Sequence, residues 1–221
     1  MKFKFLAFLL LITLNSFCQK KTKPFSWKYS TYDIFYGQKV FLSNHFYQQL
    51  NSIDNFNVNQ PLKLAGVGCN LVTDFAGSEY SDGSELQFNV TYSQVIPQDI
   101  IIRDSIKSKI TGGLFGMGIF TYEVFLNKKS ADVLFTIGFN AGRLKIYDNT
   151  CLNAINPYFA PKLIIQPRLK LGKIVASLRF EYEYDVTNSD WKTYKGVIIP
   201  ELQSINQTGI TCFFGLGYAI N

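Results

Sequence analysis

KIVASLRFEYEYDV, residues 173–186, is the stretch on which the fold turns. Ile174, Ala176, Leu178, Phe180, Tyr182 and Tyr184 share one parity, while Lys173, Val175, Ser177, Arg179, Glu181, Glu183 and Asp185 share the other. Side chains of a β-strand alternate between faces, so this segment has one apolar face and one charged face; a helix would scatter both classes around its surface. The alternation holds for roughly ten residues, about what a tilted strand needs to cross a bilayer.

Working outward, seven further segments are strand-like: 26–36, 62–75, 85–95, 109–126, 132–147, 158–170 and 205–220. Residues 85–95 alternate cleanly, with Leu86, Phe88, Val90 and Tyr92 against Gln87, Asn89, Thr91 and Ser93. The connections 37–61, 77–84, 96–108, 127–131, 148–157, 171–172 and 187–204 alternate long and short. Short turns at one end and long loops at the other are the asymmetry of an up-and-down membrane barrel. The predicted fold is therefore all-β, a closed antiparallel transmembrane barrel of about eight strands. No helical segments separate the strands, which excludes a parallel βαβ layout.

Composition agrees. A chain of 221 residues, 47% hydrophobic and 17% charged, is long enough for one domain and too apolar to be disordered. Lys2 and Lys4, the apolar run from Phe5 to Leu14, and Ser16-Phe17-Cys18 have the layout of a secretory leader. Residues 1–18 are expected to be a signal peptide and 19–221 the barrel domain. The bulky Phe17 before Cys18 counts against a lipid anchor at that junction. Removing Lys2 and Lys4 and no acid takes the formal charge from +6 to +4, a mild excess that does not call for a nucleic-acid partner. Cys69, Cys151 and Cys212 show no CxxC spacing, and His45 has no cysteine or second histidine near it. No metal site and no cofactor are expected.

Alternation does not by itself say which face is wet. A soluble lipocalin-like barrel binding an apolar ligand, secreted or periplasmic, is the alternative, with apolar residues inside. Glycines on the polar parity of several strands favour a narrow, crowded, polar interior instead. Tyr122, Tyr147, Tyr158, Tyr182, Tyr184 and Tyr218 near strand ends suit interfacial girdles. With this pattern and loop asymmetry the mature chain resembles the small Gram-negative outer-membrane β-barrel proteins, the OmpA/OmpX-like, porin-like family. The resemblance implies a cell outer membrane location and lipid as the surrounding partner. One departure is the end Tyr218-Ala219-Ile220-Asn221, where family members usually finish on an aromatic residue.

If Leu171-Gly172 is a two-residue turn, Lys170 opposes Lys173 and Lys162 opposes Glu181 on the inner face. The Lys162–Glu181 pair, with Arg168, Arg179 and Glu183, would form an interior charge network filling the lumen, the functional alternative being a gated ion path. The same register turns the N–H positions of odd residues in strand six toward strand five. Pro161 and Pro167 would then weaken the joint between strands five and six. His45, in the first long loop, and Asp104-Ser105, in the second, also have the residue types of a lipid-modifying catalytic site. A single histidine among many loop serines and acids is expected by chance. The reading is a non-enzymatic, monomeric envelope-structural or surface-binding barrel, meeting partners through 37–61, 96–108, 148–157 and 187–204.

Overall fold

The computed structural model describes residues 25–42, 61–75, 85–102, 106–127, 130–148, 153–198 and 206–220. Among them are β1 (Phe25–Phe41), β2 (Leu62–Phe75), β3 (Glu85–Ile102), β4 (Ile106–Asn127) and β5 (Ala131–Asp148). β6 (Asn153–Leu171), β7 (Ile174–Glu183), the two-residue β8 (Lys192–Thr193) and β9 (Gly209–Ile220) follow. β1 to β7 pair antiparallel in chain order, β7 pairs with β9, and β9 returns to β1. The result is a closed eight-stranded up-and-down barrel, with β8 laid against the start of β6 outside the ring. Its turn end carries 76–84, 128–130 and 172–173, and its loop end carries 42–61, 103–105, 149–152 and 184–208.

The faces of β7 fall as the alternation requires: Leu178 and Phe180 are 45% and 44% exposed, Glu181 3%. The same holds around the ring, where Ile34, Val67, Tyr92, Phe115, Ile137, Leu163 and Phe214 all point outward. Lys162, Arg168, Asp132 and Glu183 are buried inside. This is the inverse of a lipocalin. Gly116 shows how the inner glycines serve the packing. A Cβ there would collide with Thr91, Asn140 and the Lys162 ammonium, so only glycine leaves Lys162 its place.

Two of the four expected long loops are strand instead. Pro97 lies at a register shift between Val95 and Gln98, a bulge that tolerates a residue without an N–H, and pairing resumes from Gln98↔Ile110 to Ile102↔Ile106. The connection expected over 96–108 shrinks to 103–105. Likewise β6 begins at Asn153, pairing with Tyr147, so 148–157 shrinks to 149–152. β1 runs on to Phe41, which carries Lys39 into the barrel rather than into the first loop.

The β6–β7 turn also differs. Gly172-Lys173 makes it, with Gly172 at φ 63° and Leu171 opposite Ile174. A turn on Leu171-Gly172 would have asked Leu171 for the left-handed conformation, whereas a glycine in the first central position satisfies a II′ turn alone. Moving the turn by one residue moves each pair by two positions, so every residue keeps its face while partners change. Lys162 lies opposite Glu183, not Glu181. The hydrogen-bonding direction of each β6 residue reverses with it. Lys170 N donates to Ser130 O beside β5, and Pro161 O accepts from Tyr184 N beyond the end of β7. Odd residues of β6 therefore face β7, and the donors missing at Pro161 and Pro167 fall there. The β6–β7 ladder lapses between Ile165↔Phe180 and Arg168↔Ser177, while β5–β6 pairs without a break from Ala131↔Leu169 to Tyr147↔Asn153.

Candidate functional site

Toward the loop end the interior changes character. Phe41, Leu62, Leu64, Val95, Ile110, Leu144 and Ile146 point inward and form an apolar core with Trp191, which is fully buried. The segment after β7 brings that tryptophan in by running on along β6, where Tyr184 N donates to Pro161 O and Val186 N to Phe159 O. Asp185 Oδ1 accepts from Thr187 N at 2.9 Å, and Asp185 Oδ2 from Gln207 N at 2.9 Å, fixing both ends of the segment. Asn156 donates to Ser189 O at 2.6 Å, and β8 pairs Ile155↔Lys192 and Ala154↔Thr193. Trp191, one step before Lys192, is thereby aimed at the inward side of β6.

Below this apolar core the lumen is filled by charges in three tiers. In the first, Lys39 Nζ is 2.7 Å from Glu183 Oε2, which also accepts from Tyr158 OH at 3.1 Å, while Thr211 donates to Glu183 Oε1 at 3.2 Å. In the second, Lys162 Nζ donates to Asn140 Oδ1 at 2.8 Å and lies 3.8 Å from Glu181 Oε2. The Arg179 guanidinium rests against the other oxygen of Glu181. In the third, near the turns, Arg168 grips Asp132 through Nε at 2.6 Å and Nη2 at 2.9 Å. Arg168 Nη2 also donates to Glu123 Oε1 at 3.0 Å, and Lys170 joins both carboxylates. Beside these, Asn70 donates to Thr31 at 3.0 Å and to Asp33 at 2.8 Å, and accepts from Asn89.

The five residues singled out in the sequence are all buried inside, but not in one cluster. Lys162, Arg179 and Glu181 meet in the middle tier, Glu183 joins Lys39 and Tyr158 above, and Arg168 joins Asp132 and Glu123 below. Lys39, Asp33, Tyr158, Glu123, Asp132 and, as a network member, Lys170 are what the sequence reading missed. Tyr158, expected at the outer girdle, is 3% exposed and points inward. Glu123 is turned inward by the bulge between Gly118 and Phe120, which reverses the parity of β4 beyond it. Asp132 opens β5 directly after a turn, where an acid ordinarily points to solvent.

Among the described residues, five basic side chains (Lys39, Lys162, Arg168, Lys170, Arg179) share this interior with six acidic ones (Asp33, Glu123, Asp132, Glu181, Glu183 and, toward the loop end, Asp185). A nearly balanced, hydrogen-bonded set is what burial of charge demands. Cys69 is buried and Cys212 exposed, both unpaired, and no cluster of metal-ligating residues occurs among the described residues. His45, Asp104, Ser105 and the leader 1–18 lie outside the described residues. The class defined so far is a closed eight-stranded barrel with a charge-filled lumen, an apolar wall and an apolar core at its loop end.

No protein-family model and no curated protein sequence matches the chain. Among solved structures it is similar to Ail, the attachment invasion locus protein of Yersinia pestis. The structure of Ail in complex with the heparin analogue sucrose octasulfate is 11% identical, covers 87% of this chain and 98% of its own, and gives a TM-score of 0.49. A second structure of Ail has the same identity and coverage, with a TM-score of 0.47. Neisserial surface protein A (NspA) is 9% identical over 90% of this chain and 97% of its own, with a TM-score of 0.42.

Proposed function

We propose that the chain is a monomeric outer-membrane β-barrel protein, non-enzymatic, envelope-structural or surface-binding through its loop end. Residues 1–18 are its signal peptide, and 19–221 form the barrel domain. The observation that carries this reading is the inverted polarity of the wall. Ile34 at 64% exposed, Val67 at 55%, Ile137 at 56% and Leu163 at 54% belong to one continuous apolar belt, while Lys162 and Glu181 are sealed inside. Burying a side chain of that kind is worth roughly 1.5–3 kcal/mol each. A belt of them facing water would far exceed the few hundred Å² of apolar patch that soluble monomers carry, and lipid is the solvent that relieves it. Tyr122 and Tyr218 at the turn end, and Tyr147, Tyr182 and Tyr184 toward the loop end, border the belt as interfacial tyrosines do.

The filled lumen supports a wall that does not conduct. Fractionation tests the location: the protein is expected in the membrane pellet after carbonate washing and in a heat-modifiable band on gels. Release into the wash with unchanged migration overturns the reading. For the absence of catalysis, the chain and its His45→Ala variant are expected to be equally inert in lipid acyl-transfer and hydrolysis assays. Turnover lost on that substitution reverses the point.

A further inference from the structure

The outward face of the loop end carries cations unevenly. Thr111↔Lys145 on β4 and β5, Lys145↔Ile155 on β5 and β6, and Ile155↔Lys192 on β6 and β8 are successive cross-strand pairs. Lys145 and Lys192 therefore stand in one row, two strand spacings or about 10 Å apart. Arg143 lies one outward position below Lys145, and Lys109 opposes Tyr147 one outward position above it. Arg143, Lys109 and Lys192 are exposed, and Lys145 is half-buried. Among the acids near this arc, Asp99 lies 3.9 Å from Lys109, with both side chains more than half exposed, and Asp190 stands two residues before Lys192. The exposed Lys109–Asp99 pair neutralises little. On the other side of the barrel the outward residues at this level are Gln38, Val40, Tyr184, Val186 and Ile210, with Lys63 the one cation among the described residues.

The arc sits where the outer wall changes from apolar to charged: on β5, Ile137, Phe139 and Ala141 give way to Arg143 and Lys145. In a membrane that boundary is the depth of the headgroups. We propose that the β4–β5–β6–β8 arc is a binding face for lipid headgroups that carry a net negative charge on phosphate, with Arg143, Lys145 and Lys192 meeting the phosphates and Lys109 flanking them. The proposal rests on the membrane reading above.

The test uses the full mature chain in neutral phosphatidylcholine bilayers. Insertion into these, judged by heat-modifiable migration, is a separate readout that fails only if the membrane reading fails. Native mass spectrometry then counts phosphatidylglycerol retained by the wild type, by Lys109→Gln/Arg143→Gln/Lys145→Gln/Lys192→Gln, and by Lys63→Gln. Retention is expected to fall about a hundred-fold in the fourfold variant and to be unchanged in Lys63→Gln. Undiminished retention in the fourfold variant, or equal loss in Lys63→Gln, overturns the proposal. Inorganic phosphate should not displace the lipid; displacement would mark a soluble-anion site and overturn the lipid assignment.

Discussion

β5 contains two opposite designs within one strand. From Asp132 to Asn140 its inner positions include Asp132, Thr136 and Asn140, and its outer positions are Val133, Phe135, Ile137 and Phe139. From Arg143 to Tyr147 the inner positions are Leu144 and Ile146, and the outer ones Arg143, Lys145 and Tyr147. The backbone and its register continue unchanged across the switch. On the proposed membrane reading, what changes is the solvent outside. Along the apolar belt the polar groups go in, and from the headgroup level outward the ordinary oil-in arrangement returns, as on β2 (Leu62, Leu64 in; Lys63 out) and β4 (Ile110 in; Lys109 out). Read that way, the strand pattern records the depth of the membrane boundary.

The largest effect that would break this comparison is in the lumen of the belt. Arg168→Met removes the guanidinium shared by Asp132 and Glu123, and breaking a buried pair costs about 3–5 kcal/mol. Urea unfolding of the vesicle-inserted barrel should show that loss, and a midpoint within error of wild type would deny that the lower tier is sealed. Trp191→Ala should cost about 3–5 kcal/mol at the mouth by opening a cavity. Hydrogen exchange is expected to quicken at 154–156 and 206–208 while the belt strands keep their protection; uniform quickening would mean the loop-end core and the belt are one unit.

Next come the outer positions. Ile137→Arg should destabilise the inserted barrel by about 2–4 kcal/mol, whereas Arg143→Leu, three pairs along the same face, should change stability by less than about 1 kcal/mol. Equal penalties would erase the proposed boundary. A smaller change, Tyr158→Phe, removes one hydrogen bond to Glu183 and should cost about 1 kcal/mol, read from the same urea curves.

The belt was legible from sequence because a wall with an apolar outside and a polar inside requires strict alternation, and β7 displays it residue by residue. The mouth was not, since Leu144 and Ile146 turned inward beside Arg143 and Lys145 reverse the rule that identifies the belt. Pro97 hid the length of the β3–β4 hairpin, because a bulge relieves the demand that makes proline a strand breaker. There Gln98 substitutes a side-chain amide for the ladder, accepting from Lys63 N and donating to Pro61 O. Within the charge network, residue types and faces were readable from parity, but partners depend on absolute register. One residue of turn placement separated Lys162↔Glu181 from Lys162↔Glu183. Glu123 was out of reach for the same kind of reason, as nothing in IFTYE announces that Ile119 is the extra residue.

Where the barrel lacks backbone donors has its own logic. Pro161 and Pro167 thin the ladder between β6 and β7, two strands the chain already ties together through Gly172-Lys173. The joint that must close without a tether, β1 against β9, matches every residue from Ser30↔Ile220 to Phe41↔Gly209. A short covalent tether gives its two strands a high local concentration of one another, so the weak seam is never a loose one. Cutting the peptide at Gly172 would withdraw that advantage and turn the quietest corner of the wall into the place where it unzips.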